Sequence, residues 1–317
     1  MCQNWRRTDG PLCSVLTCVV GVLMGNTSGA VEPVPRDLKA LGVEYRLREL
    51  QKPRPNRVHI LRVDLSIGAI KPVVVVGEDP DGPGPAETSL TNPLKLARGA
   101  SVLAFINTNP WDSFPDERGK RNRRWFEGQA VDISGLAASA GKSRSPSQAN
   151  GASVWVDTDG RLSMGNPPRV AARQEEAKPL SEGMAGFQQM VRQGALITSA
   201  GGAVHPRTAI GVDRTGRVIW LVVVDGRQRR FSEGMTVHEL GQQMLQLGCW
   251  DAMNMDGGGS SVMGLVGEPG PLRVVNSPSD RRRGRRRIRP LPMVLTITAP
   301  ADEIPPSPDG RDDHGPS

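Results

Sequence analysis

Apolar and polar positions alternate through Val58–Asp64 (VHILRVD), a period of two that predicts a half-buried strand. Ile70–Val76 (IKPVVVV), apolar in four consecutive valines, and the continuous apolar run Val102–Ile106 read as more deeply buried strands. The second of these delivers Asn107 to its C-terminal end. Gly77–Glu87, with three prolines, is a loop, and Ser89–Arg98 fits a short helix. Ser153–Met164 holds two alternating runs around Asp159-Gly160 and predicts a hairpin. Gly183–Ile197 sets Phe187, Met190 and Val191 at helical spacing and predicts a helix that stops at Gly194. Ala209–Val212 and Val218–Val224 flank Asp213–Gly216 as a second hairpin. Thr236-Val-His-Glu239 is a capping box. The helix it opens carries Val237, Leu240, Met244 and Leu247 on one face and ends at Gly248. Leu272–Val275 and Met293–Thr298 are late strands.

Strands interspersed with a few helices, hairpins among them, predict an α+β fold. The expected architecture is a single domain over 58–299 with a mixed or antiparallel β-sheet core and a few packed helices. Residues 31–57, rich in charge and proline, form an opening segment. Residues 134–151 are of low complexity and predict a surface loop. Residues 280–290 are an arginine-rich loop, and 300–317 have too little apolar content to pack and predict a disordered tail.

Composition adds three constraints. With 317 residues the chain is long enough for a sizeable core, and its 37 glycines and 27 prolines imply many turns. Arg6 and Arg7, the apolar run Leu12–Met24 and the small residues Ser28-Gly29-Ala30 together have the form of an export signal, cleaved after Ala30. The run is short of the ~20 residues a membrane span needs. Cleavage predicts an exported protein, periplasmic, envelope-bound or secreted, with no membrane span. It also removes Cys2, Cys13 and Cys18, leaving Cys249 without a disulfide partner or a cysteine metal site. Cys249 fits a small buried residue at a helix end better than a nucleophile. Finally, seven arginines lie between Arg281 and Arg289, as many as the whole net charge of +7. Basicity so confined argues against a nucleic-acid surface and leaves two readings: a solvated loop, or a patch that attracts an anionic polymer.

Three clusters fall at the ends of predicted strands: Arg207-Thr208, Asp225-Gly226-Arg227, and Asn254-Met-Asp256 followed by Gly257, Gly258, Gly259, Ser260 and Ser261. Asn107 stands at a fourth. Arginine binds phosphate oxygens with a planar fork, and glycine N–H groups can add to an anion cradle. Paired carboxylates suit glycoside cleavage, which makes Asp225 and Asp256 candidates, although either also suits a turn. There is no GxxxxGK[ST] loop, no GxSxG context for Ser260 or Ser261, and no zinc spacing among His59, His205 and His238. His238, in the first helical turn, reads as structural.

HPRTAIGVD (205–213), VVVDGR (222–227), LGCWDAMNMDGGGSSVM (247–263) and VVNSPSD (274–280) resemble the phosphodiester glycosidase family. The resemblance is dense over Gly183–Asp280 and follows in order through Ser89–Asn107. It implies hydrolysis of a sugar-1-phosphodiester at the glycosidic bond, with a substrate of the N-acetylglucosamine-1-phosphodiester kind or an envelope or exopolysaccharide. The matching positions are Asn107, Arg207, Thr208, Asp225, Arg227, Asn254, Asp256, Gly257, Gly258, Gly259, Ser260 and Asn276. On this reading Asp256 acts at the anomeric carbon as base or nucleophile. Asp225 is its partner or a ligand for a sugar hydroxyl, and Arg207, Arg227 and the glycine N–H groups hold the phosphodiester. Two positions depart from the family: Thr108-Asn109-Pro110-Trp111 after Asn107, and Met293 after Pro292. Two other functions suit the same residues. One is a non-catalytic module that binds an anionic glycan. The other is a metal-dependent phosphodiesterase that breaks the P–O bond with Asp225 and Asp256 as ligands. No cofactor is predicted, a divalent metal stays open, and the sequence carries no signal for oligomeric state.

Overall fold

The computed structural model describes residues 36–300 apart from 68–69, 100, 116–117, 122–123, 149–151, 166–179 and 268–269. The expected signal peptide and the C-terminal tail beyond Pro300 lie outside the described residues. The described residues belong to one compact unit.

Its centre is a seven-stranded sheet in the order Val43–Leu50, Asn56–Asp64, Val218–Val224, Arg207–Val212, Asp251–Asn254, Gln188–Arg192 and Ala195–Leu196. Each of its neighbouring pairs is antiparallel. Both faces are covered, which explains the unbroken apolar run VIWLVVV in its middle. Trp220, Val222 and Val224 pack with Leu240 and Met244 of the helix Val237–Gln246. Ile219, Leu221 and Val223 point the other way. They meet Val74, Ile106 and Leu295 of one five-stranded sheet, and Val154 and Met184 of another. The helix begins where the sequence placed it: Thr236 accepts from the Glu239 N–H, and Glu239 accepts from the Thr236 N–H. Cys249 is buried beside this helix, and burial pushes its thiol pKa up, so it is an inert core residue.

Several expectations are corrected. The fold is mostly β, and the described strand pairings are antiparallel. Among the described residues only one helix exceeds five residues, so the α+β assignment with several packed helices holds only loosely. The Ser89–Arg98 helix shrinks to Pro93–Leu96, capped by Asn92. The opening segment 31–57 contains the strand Val43–Leu50, paired along its whole length with Asn56–Asp64. Residues 134–151 are not simply a loop: Ala137–Ser139 and Lys142–Ser145 are strands of a five-stranded sheet. Their small side chains allow a close approach, since a Cβ on Gly183 would lie 3.2 Å from that of Ala138.

Gly183–Ile197 is not a helix but parts of three strands, Leu180–Ala185, Gln188–Arg192 and Ala195–Leu196. A register shift between Gln189 and Val191 buries consecutive residues, and this bulge imitates helical spacing. Within 280–290 the arginines form a small hairpin, Arg281–Arg282 against Arg285–Arg286.

Candidate active site

The register of the central sheet gathers the sequence-predicted residues at one end. Ala209 pairs with Asn254, and the pairing continues beyond the strand: the Met255 N–H donates to Thr208 O at 2.9 Å, and the Gly258 N–H to Pro206 O at 2.9 Å. Two residues along from Asn254, this register brings Asp256 opposite Arg207. Side-chain alternation then sorts the candidates by face. Arg207 and Asn254 share the face of Ala209 and Ala252, toward the helix, whereas Thr208 and His59 share the face of Ile210 and Leu61.

On the first face Asp256 is half-buried. Burial raises its pKa to about 6, against the lowering effects of the Ser260 hydroxyl, the Arg289 charge and the Gly257 N–H. Arg207 donates to backbone carbonyls, from Nε to Met235 O at 2.8 Å and from Nη2 to Ala203 O at 2.7 Å, rather than to an acid. Burial and the neighbouring charge of Arg227 lower its pKa. Arg227 sits in a left-handed turn (φ 58°), and its guanidinium lies over Gly258, where an added Cβ would be 3.1 Å from Nη2. His205 completes the group. Burial, then Arg227 and Arg207, lower its pKa, and its Nδ1 is buried without a partner. The buried Oδ1 of Asn254 and Oγ1 of Thr108 also lack partners.

The three glycines are each required for a different reason. A Cβ on Gly257 would lie 2.9 Å from Pro206 O, Gly258 has a φ of 63°, and a Cβ on Gly259 would fall 2.1 Å from Nη2 of Arg289. Arg289 is clasped to Asp280 through Nε (2.9 Å) and Nη2 (3.2 Å), and Nη1 reaches Ser260 Oγ at 3.4 Å. The expectation that the glycine N–H groups form a phosphate cradle is corrected in part. The Gly257 N–H donates to Asp256 Oδ1 at 2.9 Å and the Gly258 N–H to Pro206 O, so two of the three are already used.

Beneath this face Asn107 ties two sheets to the glycine loop. Its Oδ1 accepts from Thr208 Oγ1 (2.8 Å) and the Val262 N–H (3.0 Å), while Nδ2 donates to Asp256 O (2.6 Å). Thr208 Oγ1 also lies 3.2 Å from Ser261 Oγ, where it accepts from that hydroxyl. Asn107 and Thr208 therefore hold the loop from below.

Asp225 is placed differently from the expectation. It is 1% exposed. Oδ2 faces His59 Nε2 at 3.1 Å, and Oδ1 accepts from Asn276 Nδ2 (3.1 Å) and the Ser277 N–H (2.8 Å). Tyr45 lies 2.8 Å from His59 Nδ1, and burial pushes its phenol up to about 12. The His59 imidazole thus bridges the Tyr45 phenol and the Asp225 carboxylate. Asn276 also donates to Ser261 O (3.1 Å) and accepts from the Met263 N–H (2.9 Å). Both oxygens of Asp225 are thus occupied inside the protein, and neither is offered to Asp256 or to a sugar.

Among the described residues no three His, Cys, Asp or Glu side chains gather as a metal site. Sequence reasoning missed His59, His205, Ser277, Asp280 and Arg289. His205 had one signal, its place two residues before Arg207, whereas Arg289 was hidden in the arginine run.

A family model described as phosphodiester glycosidase matches residues 121–298. Over 99 residues the chain is 35% identical to the SPbeta prophage-derived uncharacterized protein YomE of Bacillus subtilis strain 168. That match covers 31% of this chain, which spans only 14% of the length of that curated relative. Among solved structures, the catalytic domain of zebrafish N-acetylglucosamine-1-phosphodiester alpha-N-acetylglucosaminidase, auto-inhibited by pro-peptide, matches with a TM-score of 0.60 at 20% identity, covering 82% of this chain and 83% of that one. A candidate exported protein of Burkholderia pseudomallei K96243 matches with a TM-score of 0.51 at 16% identity, covering 77% and 74%. At these identities the structural likeness is one of fold.

Proposed function

The chain belongs to the phosphodiester glycosidase family, and on that premise we propose that it is an exported hydrolase cleaving the glycosidic bond of a sugar-1-phosphodiester. Family membership supports a hydrolase of this kind. The finer reading rests on one observation: a half-buried carboxylate with its pKa raised to about 6 stands opposite Arg207 and beside the Gly258–Arg227 contact. Proposed substrates are of the N-acetylglucosamine-1-phosphodiester type or belong to an envelope or extracellular polysaccharide. The apolar segment Leu12–Met24 supports export, and no helix among the described residues is long and apolar enough to cross a membrane.

The chemistry needs few groups. Ordinary glycosidases use two carboxylates because an alcohol leaves poorly without a proton. A phosphate monoester, with a second pKa of about 6, leaves far more readily. One carboxylate then suffices, provided cations stabilise the departing charge. Asp256 takes the proton of the attacking water, or attacks the anomeric carbon itself. In both courses it acts ionised. The C1–O bond breaks and its electron pair stays on the phosphate oxygen, where Arg207 and Arg227 hold the developing dianion. Asp225, Asn276 and Asn107 position the loop.

Hydrolysis in ¹⁸O-labelled water tests this reading. Label in the sugar's anomeric hydroxyl is the expected result. Label in the phosphate would mean P–O cleavage and sink the assignment, and binding without turnover would mean a glycan-binding module.

A further inference from the structure

The catalytic reading leaves unused a second concave surface, built by the segment Arg124–Phe126 and the arginine hairpin. A cleft of about 620 Å³ is lined there by Arg124, Trp125, Phe126, Arg281, Arg282 and Arg287, with Asp280 at its wall. Its volume is that of a ligand site. Four guanidinium groups line it against a single carboxylate, and that one is committed to Arg289 at 2.9 Å. The aromatic floor is ordered by cations: Arg287 lies 4.0 Å over the Trp125 ring and Arg289 5.5 Å over it. Phe126 is 52% exposed beside it. A neighbouring cavity of about 350 Å³, lined by Asn92, Glu127, Arg286, Arg287, Ile288 and Pro290, shares Arg287 with the first, and its Glu127 is paired with Lys95.

The cleft is also joined to the catalytic group. Arg289 touches Trp125 on one side and Ser260 Oγ on the other, and the Ser260 hydroxyl and the Arg289 charge both act on Asp256, lowering its pKa. A chain bound at Asp256 therefore has a cationic, aromatic-lined surface next to it. A monomeric phosphodiester is already served by Arg207 and Arg227 and has no use for four more guanidinium groups. A polymer with a phosphate at every link does.

We propose that the Arg124–Phe126 and Arg281–Arg287 cleft is a polymer subsite, holding successive links of a poly(glycosyl phosphate) whose terminal link is cleaved at Asp256. The inference rests on the glycosidase reading for the direction of the chain, but not for its binding. Arginine forks take the phosphates, and the exposed Phe126 ring takes the apolar face of a sugar.

The test uses the full chain, a monomeric sugar-1-phosphodiester, and an oligomer of several glycosyl-phosphate repeats. The variants are the double substitution Arg282→Gln with Arg287→Gln and the charge-keeping pair Arg282→Lys with Arg287→Lys. In the unaltered protein the oligomer is expected to show a KM about tenfold below that of the monomer, a gap that narrows in high salt. The glutamine pair should erase the gap by raising only the oligomer's KM, and the lysine pair should keep most of it. Equal effects of the glutamine pair on monomer and oligomer, or none on the oligomer, overturn the proposal. So does a single-stranded nucleic acid that binds the cleft more tightly than the oligomer. Calorimetric binding of the oligomer to the same proteins gives the answer without turnover. Retained, substitution-sensitive binding with no hydrolysis would leave the subsite standing and the catalytic reading fallen.

Discussion

Asp225 and Asp256 follow two strands that flank Arg207–Val212 on either side, and both stand at the same end of one sheet. Their surroundings differ in how many donors each receives. Asp225 meets an imidazole, an amide side chain and a backbone N–H, and lies out of contact with solvent. Asp256 is half-buried with a hydroxyl and one backbone N–H for its charge, and burial raises its pKa to about 6. The same residue type becomes a fastening in one place and a reactive group in the other. Burial that is fully compensated fixes a carboxylate, and burial that is partly compensated leaves it poised.

The sharpest way to break this comparison is Asp256→Asn. Turnover should fall on the order of 10³-fold or more while the thermal midpoint holds, read by product release and circular dichroism on one sample. Retained hydrolysis in the folded variant would remove Asp256 from the chemistry. Asp225→Asn should show the reverse balance, losing about 2–4 kcal/mol of stability in urea unfolding and only about tenfold in turnover. If it instead matched Asp256→Asn in activity and kept full stability, the two residues would have to be treated as a pair.

The pH profile sharpens the same contrast. Asp256 must be ionised to act, and its pKa is raised to about 6. The value of kcat/KM should therefore be level above that pH and fall about tenfold per unit below it. A profile that rises toward acid would make Asp256 a proton donor. The smallest effect is expected from Thr208→Val, which removes a hydroxyl that donates to Asn107 and bonds Ser261, and should cost about 1–2 kcal/mol with KM little changed.

The legible parts of the sequence were those where local pattern and tertiary environment agree. VIWLVVV is unbroken because both sides of its strand are covered, and the Thr236–Glu239 box closes within one helical turn. The reading failed where a long-range feature overrode the local one. The bulge at Gln189–Val191 disguised a strand as a helix, and Ala137 and Ala138 made a strand from residues too small to register as apolar. In the site, motif residues were visible as clusters, but their tasks were not. The bonds from Asp225 to His59 and from Asn107 to Thr208 join positions more than a hundred residues apart. Arg289 could not be told from its neighbours in the run, because only the fold shows that it alone clasps Asp280 and reaches Ser260.

The glycine triplet finally bears on how this loop can change over generations. Each position is barred by a different neighbour: Pro206 at Gly257, its own backbone angle and Arg227 at Gly258, and the Arg289–Asp280 clasp at Gly259. A larger residue at 259 becomes acceptable only after 280 or 289 has already shortened or moved away. Substitutions here are contingent on order, so single-position libraries through 257–259 should return almost nothing, while libraries that vary 259 together with 280 and 289 open routes that no single step can reach.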